Sequence, residues 1–352
     1  MFEELLRTWD GEEVAVRFDQ PSGTWMLVCV HSTVLGPGAG GTRMKVYPEP
    51  HHALVDGLRL SAAMTAKNAM ASLPLGGAKA VLAVPEIPTG APRRELLLRY
   101  ADLVESLHGT YWTACDMNTS SADMDIVGER CSSVFGRTEA AGGSGTSAPA
   151  TADGVFVGLT AAVAHAFDDD DLEGRTVAVQ GVGAVGAPLS RALADAGARL
   201  VLADVDPVRA KELANELGGS AVDADKIYDV DIDVFSPCAT GGVLSERTIP
   251  RLRCRVVAGA ANNQLAEPQD AERLAERGIL YAPDYVVSAG GIIHLASLEM
   301  FGEDEAACDR RVEAIGDTLG EVFALARDRR ISTAAAADAL VQERLAAERS
   351  VA

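Results

Sequence analysis

Lys67 and Lys79 lie twelve positions apart in MTAKNAMASLPLGGAKAV (64–81), a stretch with no other charged side chain. Lysine is scarce in this chain: only Lys45, Lys67, Lys79, Lys211 and Lys226 among 31 basic residues, the other 26 being arginine. An ammonium, unlike a guanidinium, can give up its proton when desolvation and a neighbouring cation depress its pKa. Lys67 falls late in a helical pattern, and Lys79 follows a Gly-Gly turn that opens an apolar strand, so the two can return side by side. The plainer alternative is a pair of lysines laying their stems over apolar surface. A third candidate is Asp116, which ends the short apolar run 111–115 and can project from it as a proton-transfer group. Asp123 and Asp125 cap or flank the next helix. Cys115 alternates away from Asp116 and has no histidine nearby in sequence, which leaves a nucleophile role weak. His51 and His52 point apart on a helix and find no carboxylate at ligand spacing, so no metal is expected.

A second constellation lies downstream. The run Thr176-Val-Ala-Val-Gln-Gly181-Val-Gly183-Ala184-Val185-Gly186 is G-x-G-x-x-G with a strand before it and a helical pattern after it. A second strand closes on Asp204, 23 residues past Gly181. The glycines admit a pyrophosphate to the helix N-terminus, and the acid accepts both hydroxyls of the adenosine ribose. Three further strand ends carry Ser-Pro-Cys-Ala239-Thr240-Gly-Gly, Gly-Ala-Ala-Asn262-Asn263-Gln and Ser288-Ala-Gly-Gly. Ligands of open parallel sheets bind at such carboxyl ends, so these segments should face the nicotinamide.

The elements that must position these groups read as α/β in two domains. In the first third, 13–19 and 24–33 read as strands, and 35–47 is too glycine-rich for regular structure, its glycines letting backbone approach a ligand. Helices follow at about 51–70 and 93–107. Residues 139–153, rich in Gly, Ser, Thr and Ala, form the best domain boundary. The aspartates 168–171 make a solvated loop. Strands are expected at 230–235, 253–258 and 278–282, then helices at about 306–329 and 332–349. This gives a substrate and catalytic domain over 1–147 and a Rossmann-type dinucleotide domain over 148–329, with a cleft between. The C-terminal helix, about 330–352, returns to the first domain. A chain of 352 residues suits two such domains. A net charge of −20 argues against nucleic acid and anionic membrane as partners. The start shows no signal-peptide core, and no later apolar run is expected to span a bilayer. Six scattered cysteines without a C-x-x-C pair read as reduced thiols of a cytoplasmic enzyme.

Taken together, Gly-Gly-Thr-Arg, Met-Thr-x-Lys-Asn-Ala, Leu-Gly-Gly-x-Lys-Ala-Val, Ala-Asp-Met-Asp, the glycine fingerprint, Ala-Ala-Asn-Asn and Ala-Gly-Gly resemble the Glu/Leu/Phe/Val amino-acid dehydrogenases. The resemblance runs in order along nearly the whole chain. It implies reversible oxidative deamination of an L-amino acid to a 2-oxo acid and ammonia, with NAD, in a homo-oligomer. Lys67 would hold the substrate carboxylate, helped by the Gly41 backbone and Asn263, in a pocket that includes Gly40 and Met64. Lys79 would be the base, and Asp116 would shuttle protons as the carbinolamine forms and collapses. Thr151, Ala239, Thr240, Asn262 and Ser288 would join Gly181, Gly183, Ala184, Val185, Gly186 and Asp204 around the cofactor. Side-chain size would be read by Ala39, Ala114, Ile292 and Leu295, which favour a bulky apolar substrate, phenylalanine first, with valine and leucine behind it. Three positions depart from the family pattern: Ala66 for Tyr, Ala78 for Gly and Ser288 for Asn. Two other readings stay open, a metal-dependent malic-enzyme-like oxidoreductase and a dinucleotide-binding protein that has lost catalysis.

Overall fold

Two β-sheets, each with its own hydrophobic core, organise the residues 2–350 that the computed structural model describes. The first belongs to a unit made of Met1–Thr146, Leu295–Asp304 and Val341–Ala352, the second to a unit made of Ser147–His294 and Glu305–Leu340.

The first unit opens with α1 (Phe2–Trp9) and an antiparallel pair, β1 (Glu13–Asp19) and β2 (Thr24–Ser32). Next come β3 (Gly38–Lys45), α2 (Pro50–Met70), β4 (Gly76–Ala83), α3 (Gly90–Glu105), β5 (Tyr111–Cys115) and α4 (Ser121–Gly128). The sheet order is β1-β2-β4-β3-β5, with β4, β3 and β5 parallel. Alternation along the strands sorts two cores. Ala78, Ala80, Leu82 and Met44 pack with Leu96, Leu97 and Tyr100 of α3, while Leu27, Cys29 and Val81 pack with Leu54 and Leu58 of α2.

Two sequence expectations fail here for one reason. The stretch 35–47, expected to be irregular, contains strand β3, and the Gly-Gly expected as a turn before Lys79 is the start of β4. Glycine serves close approach in both places rather than bending. A Cβ on Gly40 would fall on the Ala78 carbonyl of the neighbouring strand, and one on Gly77 would fall on the Thr65 backbone of α2. Side-chain-free strands let sheet and helix come into contact.

The second unit contains α5 (Ala148–Phe167), β6 (Thr176–Gln180), α6 (Gly186–Asp195), β7 (Arg199–Ala203), α7 (Pro207–Glu216), β8 (Ser220–Ala221), β9 (Val234–Pro237) and β10 (Val256–Val257). It continues through α8 (Asp270–Glu276), β11 (Leu280–Tyr281), α9 (Asp284–Val287), α10 (Gly290–Leu295, its last residue counted with the first unit), α11 (Glu305–Arg329) and α12 (Thr333–Arg349), which passes into the first unit's segment at Val341. Its strands are all parallel, in the order β11-β10-β9-β6-β7-β8. This is the doubly wound arrangement, with its switch point between β6 and β9.

Helix α5 corrects two further expectations. Its first turns occupy 148–153, expected as boundary loop, and it is long and apolar enough by length and composition to cross a membrane. In the second unit it packs against α11. A Cβ on Gly154 or Gly158 would come within 2.9 or 3.0 Å of Ile315 or Leu319.

Candidate active site

The sheet of the first unit brings the chemistry-bearing residues of 39–116 to one face. By alternation Ala39, Gly41 and Arg43 of β3, Lys79 of β4, and Ala114 with Asp116 at the end of β5 look toward α2. Lys79 is buried, and its Nζ lies 3.1 Å from Asp116 Oδ2. The same oxygen accepts from Arg43 Nε at 2.9 Å, while Arg43 also reaches Asp56 Oδ2 of α2 at 3.0 Å. Tyr47 Oη donates to Asp56 at 2.7 Å, and Arg59 pairs with its other oxygen at 3.0 Å.

Asp116 stands one residue past β5, on a loop stitched to β3. Its N–H donates to Thr119 Oγ1 at 2.8 Å, Thr119 Oγ1 donates to the Thr42 carbonyl, and Asn118 donates to the Met44 carbonyl at 3.0 Å. Beneath the face, the Tyr111 hydroxyl donates to the Gly40 carbonyl at 2.7 Å within a buried cluster of Thr42, Tyr100 and Thr113 hydroxyls. Gly40 and Gly41 keep their backbone bare: a Cβ on Gly41 would sit 2.9 Å from Asp116 Cβ, and one on Gly40 would sit 3.2 Å from Met64 Cγ. Lys67 follows Met64 by one turn of α2 and is half-buried. Asp123 completes a capping box with Ser120 and pairs with Arg93 at 2.7 Å, while Asp125, inside α4, accepts from Thr138 at 2.8 Å. Leu295 belongs to this unit and lies 3.6 Å from the Cβ position of Gly136.

Two of the three departures are explained by the geometry or made harmless by it. Ala78 lies in regular strand paired with Val30, so no left-handed backbone is asked of it, and its methyl joins the core on the α3 side. Ser288 donates its hydroxyl to the Asp284 carbonyl at 2.6 Å and is buried. Ala66 is half-buried on α2, and nothing in the structure explains it.

Burial works to raise the Asp116 pKa, yet the charges of Lys79 and Arg43 and their hydrogen bonds outweigh it and pull the carboxyl down to about 2. It is therefore an anion at neutral pH, paired with both cations. A carboxyl lowered on folding adds stability that is present above the unfolded value and lost as pH falls through the folded one. Melting temperatures of the parent and Asp116→Asn should accordingly differ most near pH 5 and converge between about pH 4 and 2. A gap that stays constant over that window rules the ion pair out.

In the second unit the glycine fingerprint sits at the switch point. Gly181 has φ +94°, a left-handed conformation, and a Cβ there would lie 2.8 Å from Ala239 Cα of the loop after β9. A Cβ on Gly186, the first residue of α6, would strike the Gly181 carbonyl, whereas nothing lies within 4 Å of the position on Gly183. Gly183 and Ala184 are exposed, and the following α6 presents its N-terminus there. Asp204 is buried after β7, accepting from Val182 N and Asp206 N at 2.9 Å each. Arg209 lies 3.6 Å from Asp204 and 3.7 Å from Asp206. Asn263 has φ +54° and its carbonyl accepts from Gly242 N at 2.8 Å, which places Asn262 and Asn263 against the loop that carries Thr240. Thr151 Oγ1 donates to the Ser147 carbonyl at 2.9 Å and lies 2.5 Å from the Cβ position of Gly291. Ile292 is buried in the same unit, on α10.

Residues 14–133 match the Glu/Leu/Phe/Val dehydrogenase dimerisation domain, and residues 142–208 and 204–349 match Glutamate/Leucine/Phenylalanine/Valine dehydrogenase. The chain belongs to the Glu/Leu/Phe/Val dehydrogenase family. It is 42% identical over 346 residues to leucine dehydrogenase of Geobacillus stearothermophilus, covering 97% of this chain and 92% of that one. It is 43% identical over 342 residues to valine dehydrogenase of Streptomyces albus, covering 96% and 93%. The crystal structure of L-tryptophan dehydrogenase from Nostoc punctiforme superposes with a TM-score of 0.85 at 38% identity, over 99% of this chain and 100% of that one. The Glu/Leu/Phe/Val dehydrogenases are oxidoreductases acting on amino acids with a nicotinamide dinucleotide. The open space at Gly183 and the free α6 N-terminus fit that group.

Arg43 and Asp56 have no role in the sequence reading. The signal was present, since Arg43 ends the quoted Gly-Gly-Thr-Arg and stands two residues past Gly41, but with β3 read as loop no alternation could aim it at Asp116.

Proposed function

We propose that this chain oxidises an apolar L-amino acid to its 2-oxo acid and ammonia, with NAD as hydride acceptor and the first unit's sheet as the substrate platform. The observation that carries the reading is the buried Lys79–Asp116 pair, 3.1 Å apart, on the face where Gly40 and Gly41 leave backbone bare. Lys67 binds the substrate carboxylate, joined by Gly41. Lys79 takes a proton from the substrate ammonium and later from the water that adds to the imine. Asp116 relays these protons to the reacting nitrogen as the carbinolamine forms and collapses and ammonia departs. Gly181–Gly186 would hold a nicotinamide dinucleotide, which would supply the two-electron acceptor for the hydride from Cα.

Preference for NAD rests on Asp204. A carboxylate at the end of β7 favours ribose hydroxyls and repels a 2′-phosphate. Arg209, a cation that could argue for the phosphate, sits within 4 Å of Asp204 and Asp206. Small residues at Ala39 and Ala114, on the face that carries Asp116, support a bulky apolar side chain, phenylalanine first. A second reading, leucine or valine, is favoured by the activities named for the relatives. The family's dimerisation segment supports a homo-oligomer.

The test is kcat/KM for phenylalanine, tryptophan, leucine, valine and glutamate with NAD and with NADP, with and without a chelator. The expected result is apolar substrates over glutamate, NAD over NADP, and no effect of the chelator. A pocket of this kind separates neighbours by only about 1–3 kcal/mol, so several apolar substrates should turn over. Glutamate as best substrate, or equal use of both cofactors, refutes the reading. Valine ahead of phenylalanine selects the second reading.

A further inference from the structure

We propose that Arg43 is a positioning residue for Asp116: anchored by Asp56, it holds Oδ2 together with Lys79, so that Oδ1 is left as the oxygen that exchanges protons with the reacting groups. This rests on the amino-acid dehydrogenase reading above. Two cations converge on one oxygen, Lys79 Nζ at 3.1 Å and Arg43 Nε at 2.9 Å. No donor among the described residues reaches Oδ1, and the Asp116 side chain keeps 24% of its surface exposed. The arginine is itself fixed from behind, because Asp56 takes its terminal nitrogen at 3.0 Å and is clamped in turn by Tyr47 and Arg59. A planar guanidinium can bridge two carboxylates in set directions, which an ammonium cannot do from a single point. The guanidinium therefore fixes the rotation of the carboxylate about its Cβ–Cγ bond, and the second strand-borne cation keeps it ionised.

The titratable and charged groups that interact with Asp116 are Lys79 from β4, Arg43 from β3, Tyr47 beyond β3, Cys115 from the opposite face of its own strand and, through Arg43, Asp56 from α2. Burial raises the pKa of both the Tyr47 phenol and the Cys115 thiol, which leaves them neutral and puts the charge balance on the two cations and two carboxylates.

The test uses the full chain with NAD and the best amino acid of the panel, comparing parent, Lys79→Ala, Arg43→Gln and Arg43→Lys. Arg43→Gln should lose about 10²-fold in kcat, because the carboxylate is misaimed. KM for amino acid and NAD should stay within about threefold, because no ligand contact is removed. Its acid limb in kcat should move up by about 1–3 pH units, since one of two cations beside the carboxylate is gone. Arg43→Lys, keeping charge without the fork, should hold the parent's acid limb yet lose about tenfold in kcat. Added guanidinium chloride should restore Arg43→Gln, and sodium chloride at equal ionic strength should not. NAD binding and a thermal melt report folding of each variant, and Arg43→Lys carries the decision if Arg43→Gln does not fold. A parent-like kcat in Arg43→Lys, or an unshifted acid limb in folded Arg43→Gln, overturns the inference while loss of activity in Lys79→Ala leaves the underlying reading standing. Full activity in Lys79→Ala, or a parent that oxidises no amino acid, overturns both.

Discussion

Lys79→Ala is expected to bind NAD as the parent does and to lose amino-acid oxidation by on the order of 10² to 10⁴ in kcat, the usual cost of removing a positioned acid or base. Asp116→Asn should lose a similar factor. Its amide keeps the shape but carries no charge, whereas the carboxyl, held at about 2, is an anion at neutral pH. NAD affinity should survive both changes because the two residues lie in the first unit and the glycine fingerprint in the second. Lys67→Ala should behave differently. A carboxylate anchor is used in the ground and transition states alike, so KM for the amino acid rises steeply while kcat falls less. Steady-state kinetics with all three variants, beside NAD titrations, make the comparison. Near-parent turnover in Lys79→Ala would falsify the assignment of the base.

A pair of single-methyl changes in the second unit should separate folding from cofactor binding. Gly183→Ala adds a Cβ where the protein has nothing within 4 Å and no positive φ to forbid it, so the melting temperature should stay near the parent's. In the proposed site a pyrophosphate would approach the backbone through that empty space, and NAD affinity should fall by at least about tenfold, roughly 1.4 kcal/mol. Gly186→Ala places its methyl on the Gly181 carbonyl between strand and helix. It should lower the melting temperature, since backbone cannot step aside as a flexible side chain can. Calorimetric melts and NAD titrations read both. If Gly183→Ala binds NAD unchanged, the pyrophosphate does not sit at this turn.

Much of the candidate site is legible in the sequence because the chemistry proposed for it depends on residue types that have few substitutes. Lysine among so many arginines, three glycines with an acid 23 residues on, and an aspartate at the end of an apolar strand are local signals. Their partners in the chain are near or irrelevant, and a strand–turn–helix needs only its own neighbours to declare itself. Helix α2, strands β1, β2, β6 and β7, and the pair α11 and α12 are legible for the same reason, through their periodicities.

The rest was decided by contacts distant in sequence. Strand β3 looks like loop because isolated glycines destabilise a strand, yet between β4 and β5 the absence of Cβ atoms is what lets three backbones and α2 approach. Helix α5 hides behind a small-residue segment because its glycines fit Ile315 and Leu319 of a helix about 160 residues away. The neighbour that the structure gives Lys79 is an anion 37 residues on, and it arrives there only because β5 docks parallel to β3. Arg43 could be aimed at Asp116 only once β3 was known to be a strand, since alternation assigns a face to a strand and to nothing else.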